Sequence, residues 1–240
     1  MDKFRVEVIS QTTNPQQVIY AAMHQDYSEN LVYDEREKWP GETEAGNIIV
    51  KRLLAGGRGH YGPLEHPQIS FNCGYFPHST VQQIRTHRTG ISFDVQSNRY
   101  TGARIVQAAR GLKPIEEVFY LRPVGDYSNR QGKHYTYTEE MRHADLEWCL
   151  QGAKRYAEMV ENGVSEEHAR GIIAFDVRQH FMVSLNARSL MHLLDLRYKL
   201  DAQLECQKLC EHIFPHFERW MPEIAQWYSE NRLKKARLSP

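Results

Sequence analysis

Residues 83–100 read QIRTHRTGISFDVQSNRY, and the chain is best read outward from them. Arg85, Thr86, His87 and Arg88 crowd the start of the run, and Gln96, Ser97, Asn98 and Arg99 crowd its end. Arginine suits bidentate binding of phosphate, and the amides and hydroxyls beside it add further donors. A solvated basic turn would have a similar composition. Against it, Ile91, Phe93, Val95 and Tyr100 are interleaved with the polar residues, so the run is expected to pack. It reads as a short helix over 79–88, capped by Ser79 or Thr80, followed by an extended stretch over 93–101.

On the N-terminal side, Phe4-Arg5-Val6-Glu7-Val8 alternates with period two and predicts a strand. Asn14-Pro15 offers an N-cap and a proline at the first helical position, opening a helix to about Tyr27. A second helix is expected over 44–55, stopped by Gly56-Gly57. A Gly/His/Pro-rich loop then leads to a strand over 68–76, where Ile69, Phe71, Cys73 and Tyr75 share a face. On the C-terminal side, 116–122 reads as a strand and 125–137 as an exposed loop. Helices are expected over 139–162, from a Ser165 cap with Glu166 and Glu167 in the first turn, over 185–213 and over 215–233. Strands early and helices late predict one α+β domain over residues 1–240.

A second cluster lies on the helix expected from 185. At 3.6 residues per turn, Asn186, Leu190, Leu193, Leu194, Arg197, Asp201 and Leu204 fall on one face. Arg197 thus sits among leucines, where a charge is costly unless an anion or a set of acceptors meets it. An internal pair with Asp201, one turn on, is the simpler alternative. Arg188, His192, Asp195 and Lys199 line the opposite face, which is either wet or a second site. Arg170 is either a surface residue or a further anion ligand.

The 240 residues hold 30 basic and 30 acidic side chains. A general nucleic-acid binder carries a basic excess, so anion binding here must come from local clusters. The mean hydropathy is −0.63, and no apolar run approaches the ~20 residues of a spanning helix. With strand-like residues starting at once, a cytoplasmic location is expected and no membrane partner. Four cysteines are too sparse for a disulfide scaffold. Cys206, Cys210, His212 and His216 fall along one helical run broken by Pro215, which closes poorly around a metal, so no metal site is expected.

Four motifs in order resemble the flavin-dependent thymidylate synthase family over most of the chain. They are the strand–helix with Asn14-Pro15, the loop Gly59-His60-Tyr61-Gly62-Pro63-Leu64-Glu65-His66, the run Gln83–Tyr100, and Asn186-Ala187-Arg188-Ser189 with the later Leu196-Arg197 and Ala202-Gln203. The resemblance implies a mostly antiparallel central sheet flanked by helices. It implies reductive methylation of dUMP to dTMP, with FAD, NADPH as reductant, methylenetetrahydrofolate as folate co-substrate, and no cysteine nucleophile. By position, Gly62, Thr86, His87, Arg88 and Ala187 would contact the flavin, with Asn186, Arg188 and His192 contributing from a neighbouring subunit. Gln83, Arg85, Gln96, Ser97, Asn98, Arg99, Arg170 and Arg197 would hold dUMP, with Arg197 as the catalytic group at the uracil. His60 and Glu65 would border flavin and folate, in a homotetramer whose sites are shared between subunits.

The chain departs from the family pattern at Thr86, where the family has arginine, and at Val95 and Gln96, where a glutamate is usual; Asp94 stands nearby. Asp201 replaces a common histidine. Two other readings use the same residues. One is an RNA- or DNA-binding module built on Arg85, Arg88, Arg99 and Arg104, which the neutral charge opposes. The other is a family member that binds nucleotide without turning it over.

Overall fold

The computed structural model describes residues 3–56, 59–129 and 131–235. Its strands are β1 (Arg5–Gln11), β2 (Gln68–Pro77), β3 (Ile91–Val95), β4 (Gly125–Ser128), β5 (His134–Tyr137) and β6 (Arg178–Asn186). In the spatial order β1-β2-β6-β3 they form a four-stranded antiparallel sheet flanked by helices, while β4 and β5 pair separately. The α-helices are α1 (Pro15–Gln25), α2 (Glu42–Ile49), α3 (His78–Ile84), α4 (Asn98–Thr101), α5 (Ala103–Ala109), α6 (Glu139–Glu161), α7 (Glu166–Ala169), α8 (Ala187–Arg197), α9 (Leu204–Trp220) and α10 (Pro222–Asn231). The expected α+β class and antiparallel sheet are therefore present. No helix among the described residues is long and apolar enough to cross a membrane.

Residues group into two compact units. The first takes the described part of Met1–Phe4 with Gly74–Gln83 and Asp94–Phe181; the second takes Arg5–Cys73, Ile84–Phe93 and Met182–Pro240. In the first, α5 packs on α6. Ile105, Val118, Phe119, Ala153, Tyr156 and Val177 make its core. Full burial of side chains of this size contributes about 1.5–3 kcal/mol each. In the second unit, α1 packs on α2, and α10 packs on both α2 and α9.

Several sequence expectations are corrected. Asn14 does not cap α1 through its side chain; its backbone is left-handed, with φ 49°. The Glu42 carboxylate caps that helix instead, accepting Gln16 N–H at 2.8 Å and Gln17 N–H at 2.9 Å. Glu42 also starts α2, two residues before the expected Glu44, and a π-helical turn over Val50–Leu54 carries the chain on. Gly57, part of the expected helix stop, lies outside the described residues, as do Met1, Asp2 and Arg58.

The helix expected over 79–88 ends at Ile84. Extended structure stops at Val95, because Ser97 accepts Arg99 N–H at 3.3 Å and starts the short α4. Residues 116–122 make only a 3-10 turn and a single bridge, Phe119 to Val177. The expected loop 125–137 is a hairpin, with Gly125 opposite Tyr137 and Ser128 opposite His134.

The expected helix 185–213 is a strand, a helix and a helix. Leu185 lies in β6, which closes at Asn186, α8 ends at Arg197, and α9 begins at Leu204. Pro215 does not break α9, since Phe214 and Phe217 are buried on either side and hold the helix in place.

Candidate active site

The second unit contains all the residues expected at the flavin. Asn186 ends β6 in an extended conformation and caps α8, its Oδ1 accepting Ser189 N–H at 2.8 Å. The same turn holds the 86–90 loop. Asn186 N–H donates to Gly90 O at 3.1 Å, and Ser189 Oγ donates to Thr89 O at 2.7 Å. Gly90 is required on two grounds. Its φ is +64°, and a Cβ there would lie 2.2 Å from Asn186 Nδ2. Ala187 is fully buried, with its N–H on Pro67 O at 3.2 Å.

That junction brings the two ends of the motif set together. Arg197, the last residue of α8, donates Nε–H to His87 Nε2 at 3.1 Å and Nη2–H to Thr86 Oγ1 at 2.7 Å. Since His87 accepts through Nε2, its proton sits on Nδ1. Burial first, then the charges of Arg197 and His192, hold the His87 ring down to about 4, so it is neutral at pH 7. The His192 ring stands edge-on to it, centroids 5.1 Å apart. Burial, then Arg232, Arg188 and Arg197, also lower His192. His192 Nδ1 is buried and without a hydrogen-bond partner. Asp201 lies beyond the end of α8 and accepts from Lys199 Nζ at 3.2 Å, so it is not the next turn of the Arg197 face.

The opposite face of α8 is half-exposed at Arg188 and buried at Asp195. Arg188 Nη1 donates to Glu65 Oε1 at 2.6 Å, which ties α8 to the 3-10 turn Gly62–Glu65. Asp195 is buried, accepting Tyr228 Oη–H at 3.0 Å and the Arg232 guanidinium. His60 pairs with Asp26 at 2.8 Å, both largely exposed. Gly62, Arg85 and Arg88 are exposed.

In the first unit, Gln96 is bound to β6: its N–H donates to His180 O at 2.9 Å and its Oε1 accepts His180 N–H at 3.3 Å. Asn98 is buried and accepts Arg104 Nη2–H at 3.2 Å. Arg99 Nε meets Glu167 at 2.7 Å. Arg170 is exposed just after α7. Gln83 lies on α3 and is exposed.

Arg104, named from the sequence only in the nucleic-acid alternative, joins Asn98 in the first unit. Its Nε is buried without a hydrogen-bond partner, and burial lowers its pKa from the ordinary arginine value. The only signal was its place one turn after Ser97-Asn98-Arg99-Tyr100. Arg232 and Asp26, which lie in no motif, pair with Asp195 and His60.

The model of a family described as thymidylate synthase complementing protein matches residues 7–223. The flavin-dependent thymidylate synthase of Halobacterium salinarum is 30% identical, covering 98% of this chain and 100% of the relative. That of Haloarcula marismortui is also 30% identical, with 98% and 99% covered. The chain belongs to the flavin-dependent thymidylate synthase family, whose members are methyl-transferring enzymes. Among solved structures, the UMP/dUMP methylase PolB from Streptomyces cacaoi, bound with 5-Br dUMP, shares the fold at a TM-score of 0.77 and 19% identity, covering 100% of this chain and 98% of that one.

Among the residues expected at the flavin, His192 Nδ1 is buried without a hydrogen-bond partner, an atom that a bound group could satisfy, while Arg188 and Arg232, whose charges lower His192, are already paired with Glu65 and Asp195.

Proposed function

We propose that the protein is a thymidylate synthase that methylates dUMP to dTMP, using FAD, NADPH and methylenetetrahydrofolate. The observation that carries this reading is the meeting of Arg197 with Thr86 and His87, 111 and 110 positions away, residues that belong to two family motifs. The names of the archaeal relatives, and the UMP/dUMP methylase activity given for the Streptomyces neighbour, point the same way.

When bound, the flavin supplies the hydride that completes the methyl group. The chain's own task is positioning and electrostatics. Arg188, His192, Arg88 and the 62–65 turn hold the cofactor, with Asn186 and Ala187 shaping the start of α8. Gln83, Arg85, Gln96, Ser97, Asn98, Arg99 and Arg170 hold the nucleotide. The Arg197 guanidinium contacts the uracil edge and stabilises negative charge developing there. His60 and Glu65 border the folate. Sites are shared between subunits of a homotetramer, in the cytoplasm.

A cysteine nucleophile has no support. Cys73, Cys149, Cys206 and Cys210 are all buried. Burial pushes the Cys149 thiol up to about 11, and raises Cys73 and Cys210 further, so none of these three is a ready thiolate. The test is direct. Purified protein is expected to be yellow, to bleach under NADPH, and to release the C5 hydrogen of dUMP when folate is present. A colourless protein that FAD cannot reconstitute sinks the reading.

A further inference from the structure

We propose that Thr86 is a positioning residue for Arg197: its hydroxyl replaces the arginine usual at this place and holds the guanidinium in its working orientation. The proposal rests on the role given to Arg197 above. Three features of the site support it.

The first is geometry. Nε and Nη2 form one edge of the guanidinium fork, and that edge is met at both points, by His87 Nε2 at 3.1 Å and by Thr86 Oγ1 at 2.7 Å. Two acceptors along one edge fix the plane of the group, whereas one would leave it free to swing. The second is charge. His87 is neutral and Thr86 cannot ionise, so these two contacts orient Arg197 without cancelling its positive charge. A carboxylate at either point would hold the fork as firmly but would neutralise it. The third is the departure itself. An arginine at 86 would bring a second guanidinium to the atom where the hydroxyl now accepts, and arginine has no acceptor to offer.

The 86–90 loop is held well enough to do this. Gly90 O and Thr89 O are both taken by the start of α8, the same helix that ends in Arg197. Loop and arginine are thus referred to one rigid element.

The test compares Thr86→Val, which keeps shape but loses the acceptor, with Thr86→Ser, which keeps the acceptor, and Thr86→Arg. Thr86→Val is expected to lower kcat about ten- to a hundredfold, the loss of one hydrogen bond to a charged group, while FAD content and melting temperature hold. Thr86→Ser is expected to recover most of that loss. Thr86→Arg, although it is the family residue, is expected to fall at least as far as Thr86→Val. A readout independent of turnover comes from crystal structures of the ligand-free proteins, in which the Arg197 side chain should keep its place in wild type and Thr86→Ser and leave it in Thr86→Val.

An unmoved Arg197 in Thr86→Val overturns the proposal, whatever the activity. So does a Thr86→Arg protein as active as wild type, or a Thr86→Val protein whose main defect is loss of FAD. A wild-type protein with no turnover would overturn the functional reading instead, and the structures would still decide the role of Thr86.

Discussion

Replacing Asp195 with alanine tests how α8 is anchored. The Asp195 side chain has no exposed surface, and Arg232, its ion-pair partner, is 11% exposed. Tyr228, also buried, donates its hydroxyl to Asp195 Oδ1 at 3.0 Å, and the Arg232 guanidinium lies over the Tyr228 ring, 5.9 Å from its centre. Burial and the Asp195 charge push the Tyr228 hydroxyl far above the ordinary phenol range, so it stays a donor at any working pH. Asp195→Ala leaves a buried cation and a buried hydroxyl without their acceptor. Breaking a buried pair from one side costs about 3–5 kcal/mol. At about 2–4 °C per kcal/mol for a chain of this size, the melting temperature should fall by roughly 6–20 °C. The measurement is a thermal melt followed by circular dichroism, at one protein concentration because assembly adds its own stabilisation. Asp195→Asn should fall less, since it keeps an acceptor for Tyr228. The double change Asp195→Leu with Arg232→Met should recover much of the loss, because it leaves no charge stranded. A fall of less than about 3 °C for Asp195→Ala would refute the account of a buried, mutually dependent pair.

Arg197→Ala is expected to abolish turnover while FAD remains bound; retained turnover, measured with the absorbance of the flavin as control, would remove Arg197 from the chemistry. Gly90→Ala should cost about 2–3 kcal/mol, from the left-handed backbone and the displaced Asn186 cap, read as a lower urea midpoint. Stability should also depend on pH through His87, which is 8% exposed. Its folded value, about 4, lies below the ordinary 6.5, so the unfolded chain binds the extra proton first. The contribution is whole above pH 6.5 and is lost as pH falls toward 4, about 3 kcal/mol in all. Denaturant melts at pH 7.5 and 5 should show a gap that narrows in His87→Gln; an unchanged gap would contradict it.

The elements legible in the sequence were those whose stabilisation is local and periodic. β1 and β2 alternate, and α6 carries its own cap in Thr138 and runs to Glu161, one residue short of the expected end. What was not legible depends on distant partners. β6 begins with Arg178 and Gln179, both buried, which no alternation rule would place in a core. Arg178 is paid for by Glu116 O at 2.8 Å and Tyr75 O at 2.9 Å, carbonyls 62 and 103 positions away. The leucines from Leu185 onward then join strand to helix without a break in composition. The cap on α1 comes from Glu42, so Asn14-Pro15 marked the right place for the wrong reason. At the site, the Arg197 face was legible because an arginine among leucines demands an acceptor. Which acceptor it found, Thr86 and His87 rather than Asp201, depended on where α8 ends.

The interleaving of the two units has a consequence for how the chain is made. Each unit is assembled from three separate stretches, and the second contains both Arg5 and the last helices of the chain. During synthesis, β1, α1 and α2 emerge long before α8, α9 and α10, which must close loops of well over a hundred residues to reach them. Such non-local pairing folds slowly, and it leaves the N-terminal segments exposed in the meantime. Production of this protein should therefore be limited by early aggregation, and should respond to growth temperature and chaperone supply more than to surface substitutions.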